Sequence, residues 1–340
     1  MSAAAAGPVA LTLGEPAGIA PEITIKAWLR RAEERIPPFL FIGDGDLLRR
    51  RAAAIGIDLP VAETDADGAA EAFPRALPCL ADAPRVRGEP GRITSADEPA
   101  VVNSITTAVD LVRAGAASAV ATNPIQKRAL ADIGFRHPGH TEYLGELAET
   151  RFGAKARPVM MLAGPELRVV PVTVHVPLRT VPGLLTTDLI VETARIVARD
   201  LARRFGMARP RLAIAGLNPH AGEEGLLGSE DSEIVRPAVE VLRAEGIDAR
   251  GPLPADTMFH AAARAGYDAA LCMYHDQALI PIKTLAFDEA VNVTLGLPYI
   301  RTSPDHGTAL DLAGTDAPRP ASLVAALKLA AEMAARERVP

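Results

Sequence analysis

The sequence has little sulfur and few aromatic rings: two cysteines and one tryptophan in 340 residues, with aromatics at 4%. Cys79 and Cys272 lie far apart and form no CxxC, which excludes a disulfide scaffold and a cysteine-based zinc or redox motif. They read as small buried apolar residues in a reducing, cytoplasmic compartment. A basic excess is also lacking, since 36 Lys+Arg stand against 42 Asp+Glu, a formal net charge of -6. That argues against a nucleic-acid partner, because phosphate neutralisation needs a basic face. Long hydrophobic runs are missing too. The longest uncharged stretch, Met1 to Gly14, falls short of the roughly 20 apolar residues of a membrane helix. It carries no basic n-region, so its alanines are not read as a signal peptide, and no membrane partner is expected. GxGxxG, HExxH and any fixed-period repeat are absent.

The composition that remains, 49% hydrophobic and 23% charged, is globular. A chain of this length buries roughly three quarters of its unfolded surface and is expected to form two lobes. Short apolar runs at Val9–Leu13, Phe39–Ile42, Ala117–Ala121, Val159–Leu162, Arg168–Val174, Leu212–Ala215, Ala269–Met273 and Val291–Leu295 read as buried strands. Between them, Asp46–Ile55, Ala100–Ala114, Asp188–Phe205, Asp231–Ala244 and Ser322–Ala334 space apolar residues three or four apart, as helices do. Asp188 and Asp231 stand where N-caps would be. The alternation predicts an α/β fold with much parallel sheet. Asp58–Arg92, rich in Ala, Pro and Asp, reads as a surface excursion without a helix, with strand at most around Ala76–Leu80.

Six of the seven histidines lie beside Gly or Pro or at the end of an apolar run: His137, His140, His175, His220, His275 and His306. Only His260 sits on a helix-like segment. In open α/β sheets, ligands bind beyond the carboxyl ends of the strands. His175 ends Arg168–Val174, His220 follows Leu212–Ala215 and His275 ends Ala269–Met273. Parallel strands would deliver all three imidazoles to one edge. With Asp256 and Asp276 nearby, such a set suits a divalent metal with open positions. A second group favours an anion: Lys283 after LIPI, Asn292 in VNVTLGLP and Arg301 after PYI, followed by DHGTA, which is expected to open a helix. GEPAGIAPE at Gly14–Glu22 and Gly43-Asp44-Gly45 after FLFI read as tight strand-to-helix turns and not as a Rossmann fingerprint.

Together, GEPAGIAPEI, HPGHTEYL, GLNPHAGEEGLLG, GPLPADT, MYHDQALIPIK and VNVTLGLPYIRTSPDHGTALDLAG resemble the 4-hydroxythreonine-4-phosphate dehydrogenase family of vitamin B6 biosynthesis. The matching motifs run from Gly14 to Gly314. The resemblance implies two α/β/α lobes of the isocitrate/isopropylmalate dehydrogenase type with a cleft between them, working as a homodimer. The expected lobes are 1–135 plus 307–340, and 136–306. It also implies an NAD or NADP cofactor without a Rossmann fingerprint. It assigns His175, His220 and His275 to one divalent metal (Zn, Mg, Co or Mn) in a site drawing on both subunits. Substrate contacts carry over to His140, Thr141, Lys283, Asn292 and Arg301, and Asp256 and Asp276 lie close to the metal. Two departures stand out: GIAPE has Ala20 where the family has Gly, and ATNPIQK has Asn123 before Pro124.

The implied reaction oxidises the secondary alcohol of 4-phosphooxy-L-threonine. The resulting 3-keto acid loses CO2 and leaves 3-amino-2-oxopropyl phosphate. Lys283 is expected to meet a carboxylate or the reacting oxygen and to carry a proton, and Arg301 to clamp an anionic end. The nearest alternative is a paralogue acting on 4-phospho-threonate or 4-phospho-erythronate. A more distant one is a metal hydrolase with Glu223 or Glu224 as base, and a third is a phosphometabolite sensor without turnover.

Overall fold

The computed structural model describes residues 7–126, 129 and 140–337, the side chain of Thr141 excepted. His137 and Lys127 of the sequence motifs lie outside the described residues. The chain divides into two compact units, Met1–Pro158 with Leu297–Pro340, and Val159–Gly296.

In the first unit the strands β1 (Val9–Thr12), β2 (Phe39–Ile42), β3 (Val61–Thr64), β4 (Leu77–Leu80), β5 (Ala119–Ala121) and β12 (Arg301–Pro304) run in the order β3-β4-β2-β1-β5-β12. Every pairing among them is parallel. Strands buried on both faces need continuous apolar runs, and VALT and FLFI supply them with every residue buried. The helix Glu98–Arg113 covers one face with Val101, Ile105, Ala108 and Val109. Each Val or Ile among them contributes about 1.5–3 kcal/mol when fully removed from water, and Ala108 about one methyl group's share.

The expected lobe boundaries at 135/136 and 306/307 lie elsewhere, at 158/159 and 296/297. Packing is the reason. The helix His140–Phe152 inserts Leu144, Leu147 and Ala148 into the cluster that holds Ile105 and Ala108. Tyr299 Oη donates to Leu144 O at 2.9 Å, and β12 pairs with β5.

The second unit contains β6 (Val159–Ala163), β7 (Arg168–Pro171), β8 (Arg211–Ala215), β9 (Asp248–Leu253), β10 (Ala269–Cys272) and β11 (Val291–Leu295), ordered β11-β6-β7-β10-β8-β9. β7, β10, β8 and β9 are mutually parallel. β6 runs antiparallel to both β7 and β11. The 19-residue helix Thr187–Phe205 packs Ile190, Ala194, Val197 and Leu201 inward and ends on Gly206 at φ 71°.

Several expectations are corrected. In Asp58–Arg92 the strand expected around Ala76–Leu80 is present as β4, but the segment also holds β3 and the helix Ala66–Ala72, whose cap Asp65 accepts from Gly68 N at 2.9 Å. These are elements of four to seven residues, too short to show a period. The cap of Thr187–Phe205 is Thr186, whose side chain accepts from Leu189 N at 3.1 Å, and Asp188 lies in the first turn. DHGTA opens only the 3-10 turn Leu310–Leu312, since Ala309 adopts φ 40°. Both cysteines are buried and unpaired, with burial pushing their thiols up. Ala20 is buried as the first residue of the helix Ala20–Leu29. Asn123 bridges Thr12 O at 2.9 Å and Thr24 Oγ1 at 3.1 Å. Gly14 is required, because at φ +71° a Cβ would lie 2.5 Å from that of Asn123. Among the described residues, no helix is long and apolar enough to cross a membrane.

Candidate active site at the strand ends of the second unit

Because β7, β10 and β8 are adjacent and parallel, their carboxyl ends form one edge. His175, His275 and His220 lie 4, 3 and 5 residues beyond those ends, respectively. His175 sits at φ 45°. Its ring lies 5.5 Å from that of His275, centroid to centroid, with the planes inclined at 45°. His275 begins the helix His275–Ala286, and its Nδ1 lies 2.8 Å from Asp276 Oδ1. A carboxylate only accepts, so Nδ1 carries the hydrogen, and in the neutral ring the lone pair is then on Nε2.

His220 stands on the 3-10 turn Pro219–Gly225, where His220, Ala221, Gly222, Glu223 and Glu224 all have φ between 42° and 80°. Five consecutive left-handed residues, four of them not glycine, are strained. Asp231, expected as an N-cap, instead holds this segment. Its Oδ1 accepts from Leu217 N at 2.7 Å and its Oδ2 from Asn218 N at 3.0 Å. Gly216 is needed for that approach, since a Cβ there would lie 2.9 Å from Asp231 Oδ1. Asp256, on the exposed turn Ala255–Thr257, follows β9 toward the same edge.

The structure thus brings His175, His275 and Asp276 together and puts His220 and Asp256 at the same edge. Among the described residues, no group of three or more His, Cys, Asp or Glu stands close enough to hold a metal ion. Of the other predicted residues, Lys283 is on the helix His275–Ala286, with Nζ 5.1 Å from the Phe287 ring centroid. Asn292 lies on β11 opposite Leu162.

The first unit carries the rest. Arg301 is buried on β12 and donates to Thr122 Oγ1 from Nε at 3.2 Å and from Nη2 at 2.6 Å. Burial lowers its pKa to about 10, which leaves it a cation at neutral pH. His140 starts the helix His140–Phe152, and Thr141 follows it there. His260, which read as helical, is the N-cap of Ala261–Arg264 and accepts from Ala263 N at 3.3 Å through Nδ1.

Sequence reading missed Thr173, Asp231 and Gln277, which are buried polar residues beside the three histidines. A signal existed for Gln277, since Gln at the third position of a helix matches half of a capping box. None existed for Thr173.

The family model described as "Pyridoxal phosphate biosynthetic protein PdxA" matches residues 34–330. A 4-hydroxythreonine-4-phosphate dehydrogenase from Bradyrhizobium diazoefficiens is 60% identical over 339 residues, covering 97% of this chain and 98% of that protein. One from Methylorubrum extorquens is 59% identical over 331 residues, covering 97% and 95%. The crystal structure of 4-hydroxythreonine-4-phosphate dehydrogenase from Klebsiella pneumoniae superposes with a TM-score of 0.84 at 35% identity, covering 98% of this chain and 99% of that one.

Proposed function

This chain belongs to the PdxA family, and on that premise we propose that it oxidises 4-phosphooxy-L-threonine at its secondary alcohol with NAD or NADP. Hydride passes to the nicotinamide and the hydroxyl proton to a base. The 3-keto acid then loses CO2 to give 3-amino-2-oxopropyl phosphate. The observation that carries this reading is the delivery of His175, His220 and His275 to one edge by three adjacent parallel strands.

The donor set fits a divalent cation in kind. It offers imidazole nitrogens, a ring pair 5.5 Å apart and a carboxylate that fixes the tautomer of one ring. His175, His220 and His275 would hold zinc, cobalt, magnesium or manganese, with a partner subunit completing the site. Bound there, the ion would supply Lewis acidity toward negative charge at the substrate's alcohol and carbonyl oxygens.

The chain's own groups do the rest. Asp276 orients His275 through Nδ1. Lys283 meets the substrate carboxylate or hydroxyl and carries the proton. Arg301, charged and buried, clamps an anionic end, where low polarisability of the surroundings strengthens the attraction. His140, Thr141 and Asn292 contact phosphate or hydroxyl groups, and Asp256 orients an imidazole or ligates. Homodimerisation is supported by apolar side chains left exposed near the histidine loops, with Leu226 at 82% and Leu178 at 66%.

The test is reduced-nicotinamide absorbance on adding 4-phosphooxy-L-threonine, a divalent ion and NAD or NADP. No signal with either cofactor overturns the reading, and a stronger signal with 4-phospho-threonate or 4-phospho-erythronate moves the substrate to the hydroxy acid. His220→Ala should abolish metal-dependent turnover while the protein stays folded.

A further inference from the structure

We propose that Gln277 and Thr173 are positioning residues that fix the three histidine loops relative to one another, a role resting on the function proposed above. The backbone ladder ends just short of these loops. Val172 N donates to Cys272 O at 2.8 Å, the last close bond between the β7 and β10 segments. Beyond it, side chains take over. Thr173 Oγ1 donates to Met273 O at 2.7 Å, beside a longer bond of 3.3 Å from Thr173 N to the same oxygen. Gln277 then uses both ends of its amide. Oε1 accepts from Met273 N at 2.7 Å, and Nε2 donates to Gly216 O at 2.8 Å. Thr173, Met273 and Gly216 lie two, two and four residues before His175, His275 and His220.

The chemistry of the amide explains the residue. A planar group offering one acceptor and one donor reaches two strands at once. Glutamate would offer no donor to Gly216, leucine neither partner, and asparagine is one methylene short. Gln277 is the third residue of its helix, after the cap Tyr274. In a capping box that residue bonds the cap's own N–H. Here it reaches Met273, one residue further back, which leaves the NH2 group to cross to the β8 segment. There Gly216 O is held by Gln277, and the next two N–H groups by Asp231. Three successive residues are thereby fixed immediately before the left-handed turn of His220. Left-handed residues other than glycine persist only where their surroundings over-determine them, and this clamp supplies part of that determination.

The test compares Gln277→Leu with the wild-type full-length chain. Cobalt(II) affinity, measured against a competing chelator, should weaken by about 10–100-fold, and the cobalt absorption spectrum should change. In metal-free protein, amide exchange of residues 217–222 and 274–276 should accelerate by about tenfold, a readout independent of any ion. Thr173→Val should show the same direction of change, with Thr173→Ser restoring wild-type behaviour because the hydroxyl is kept. Should Gln277→Leu fail to fold, the Thr173 pair gives the same reading. Unchanged exchange in both loops of a folded variant overturns the proposal. Should the wild-type chain bind no cobalt, the metal reading falls, and exchange alone then supports or overturns the clamp.

Discussion

The loops at the strand ends are fastened by charge in the first unit and by neutral side chains in much of the second. After β1, Arg51 Nε and Nη2 donate to the two oxygens of Glu22 at 2.6 and 2.7 Å. The same guanidinium donates to Pro16 O and Gly18 O, both at 2.8 Å, and to Gly88 O at 3.3 Å. Gly314 N closes the set on Glu22 at 3.0 Å. Arg51 and Glu22 are 3% and 0% exposed, so this ion pair is satisfied without water. The second unit uses an amide, a hydroxyl and one carboxylate, and among the described residues five of the eight non-glycine residues at positive φ lie there: His175, His220, Ala221, Glu223 and Glu224. On the metal reading proposed above, a guanidinium beside the imidazoles would repel a cation, whereas a neutral amide holds the backbone without that cost. The difference teaches that a buried ion pair can fasten one set of strand-end loops while an amide, a hydroxyl and a carboxylate fasten another.

Breaking the charged staple should have the largest effect. Arg51→Ala leaves Glu22 buried and unpaired, and an expected loss of about 3–5 kcal/mol would be read by urea unfolding. In the second unit, Asp231→Asn puts an NH2 group against a backbone N–H. It should cost about 2 kcal/mol, within the range for hydrogen bonds to charged groups, and loosen the His220 loop in hydrogen exchange. Ala221→Gly sharpens the contrast in backbone strain. Relief of the left-handed conformation outweighs the flexibility of glycine, for a gain of up to about 1 kcal/mol in thermal unfolding. The same change at Ala17, which has no positive φ, should only destabilise.

The smallest effect is a slope. Burial raises the Glu15 carboxyl above its ordinary value and the charge of Asp97 adds to this, while the hydrogen bonds from Ala17 N–H and with Glu98 oppose it. The folded state therefore keeps this proton longer than the unfolded chain does. Stability falls as pH rises from the ordinary carboxylate range through the raised value. Glu15→Gln should flatten that fall in unfolding measurements across pH.

Much of the fold was legible because buried parallel strands must be apolar throughout. All eight expected strands are present within two or three residues of their expected ends. β3, β9 and the helix Ala66–Ala72 were not legible, since their sequences carry no period and their pairing comes from neighbours. At the candidate site, the position of each histidine after an apolar run was readable. The left-handed turn of GLNPHAGEEG was not, because Ala221, Glu223 and Glu224 are residues that local preference would never put at positive φ.

By itself the sequence determined the α/β class, the burial of both cysteines and the identity of the polar residues beyond each strand, all of which follow from hydrophobic pattern and local chemistry. Only the tertiary structure decided that β7, β10 and β8 are neighbours, that Leu144 belongs to the first unit's core, and that Gln277 reaches Gly216 from 61 residues away. Contacts between distant segments depend on how strands order in a sheet, and no local preference encodes that order.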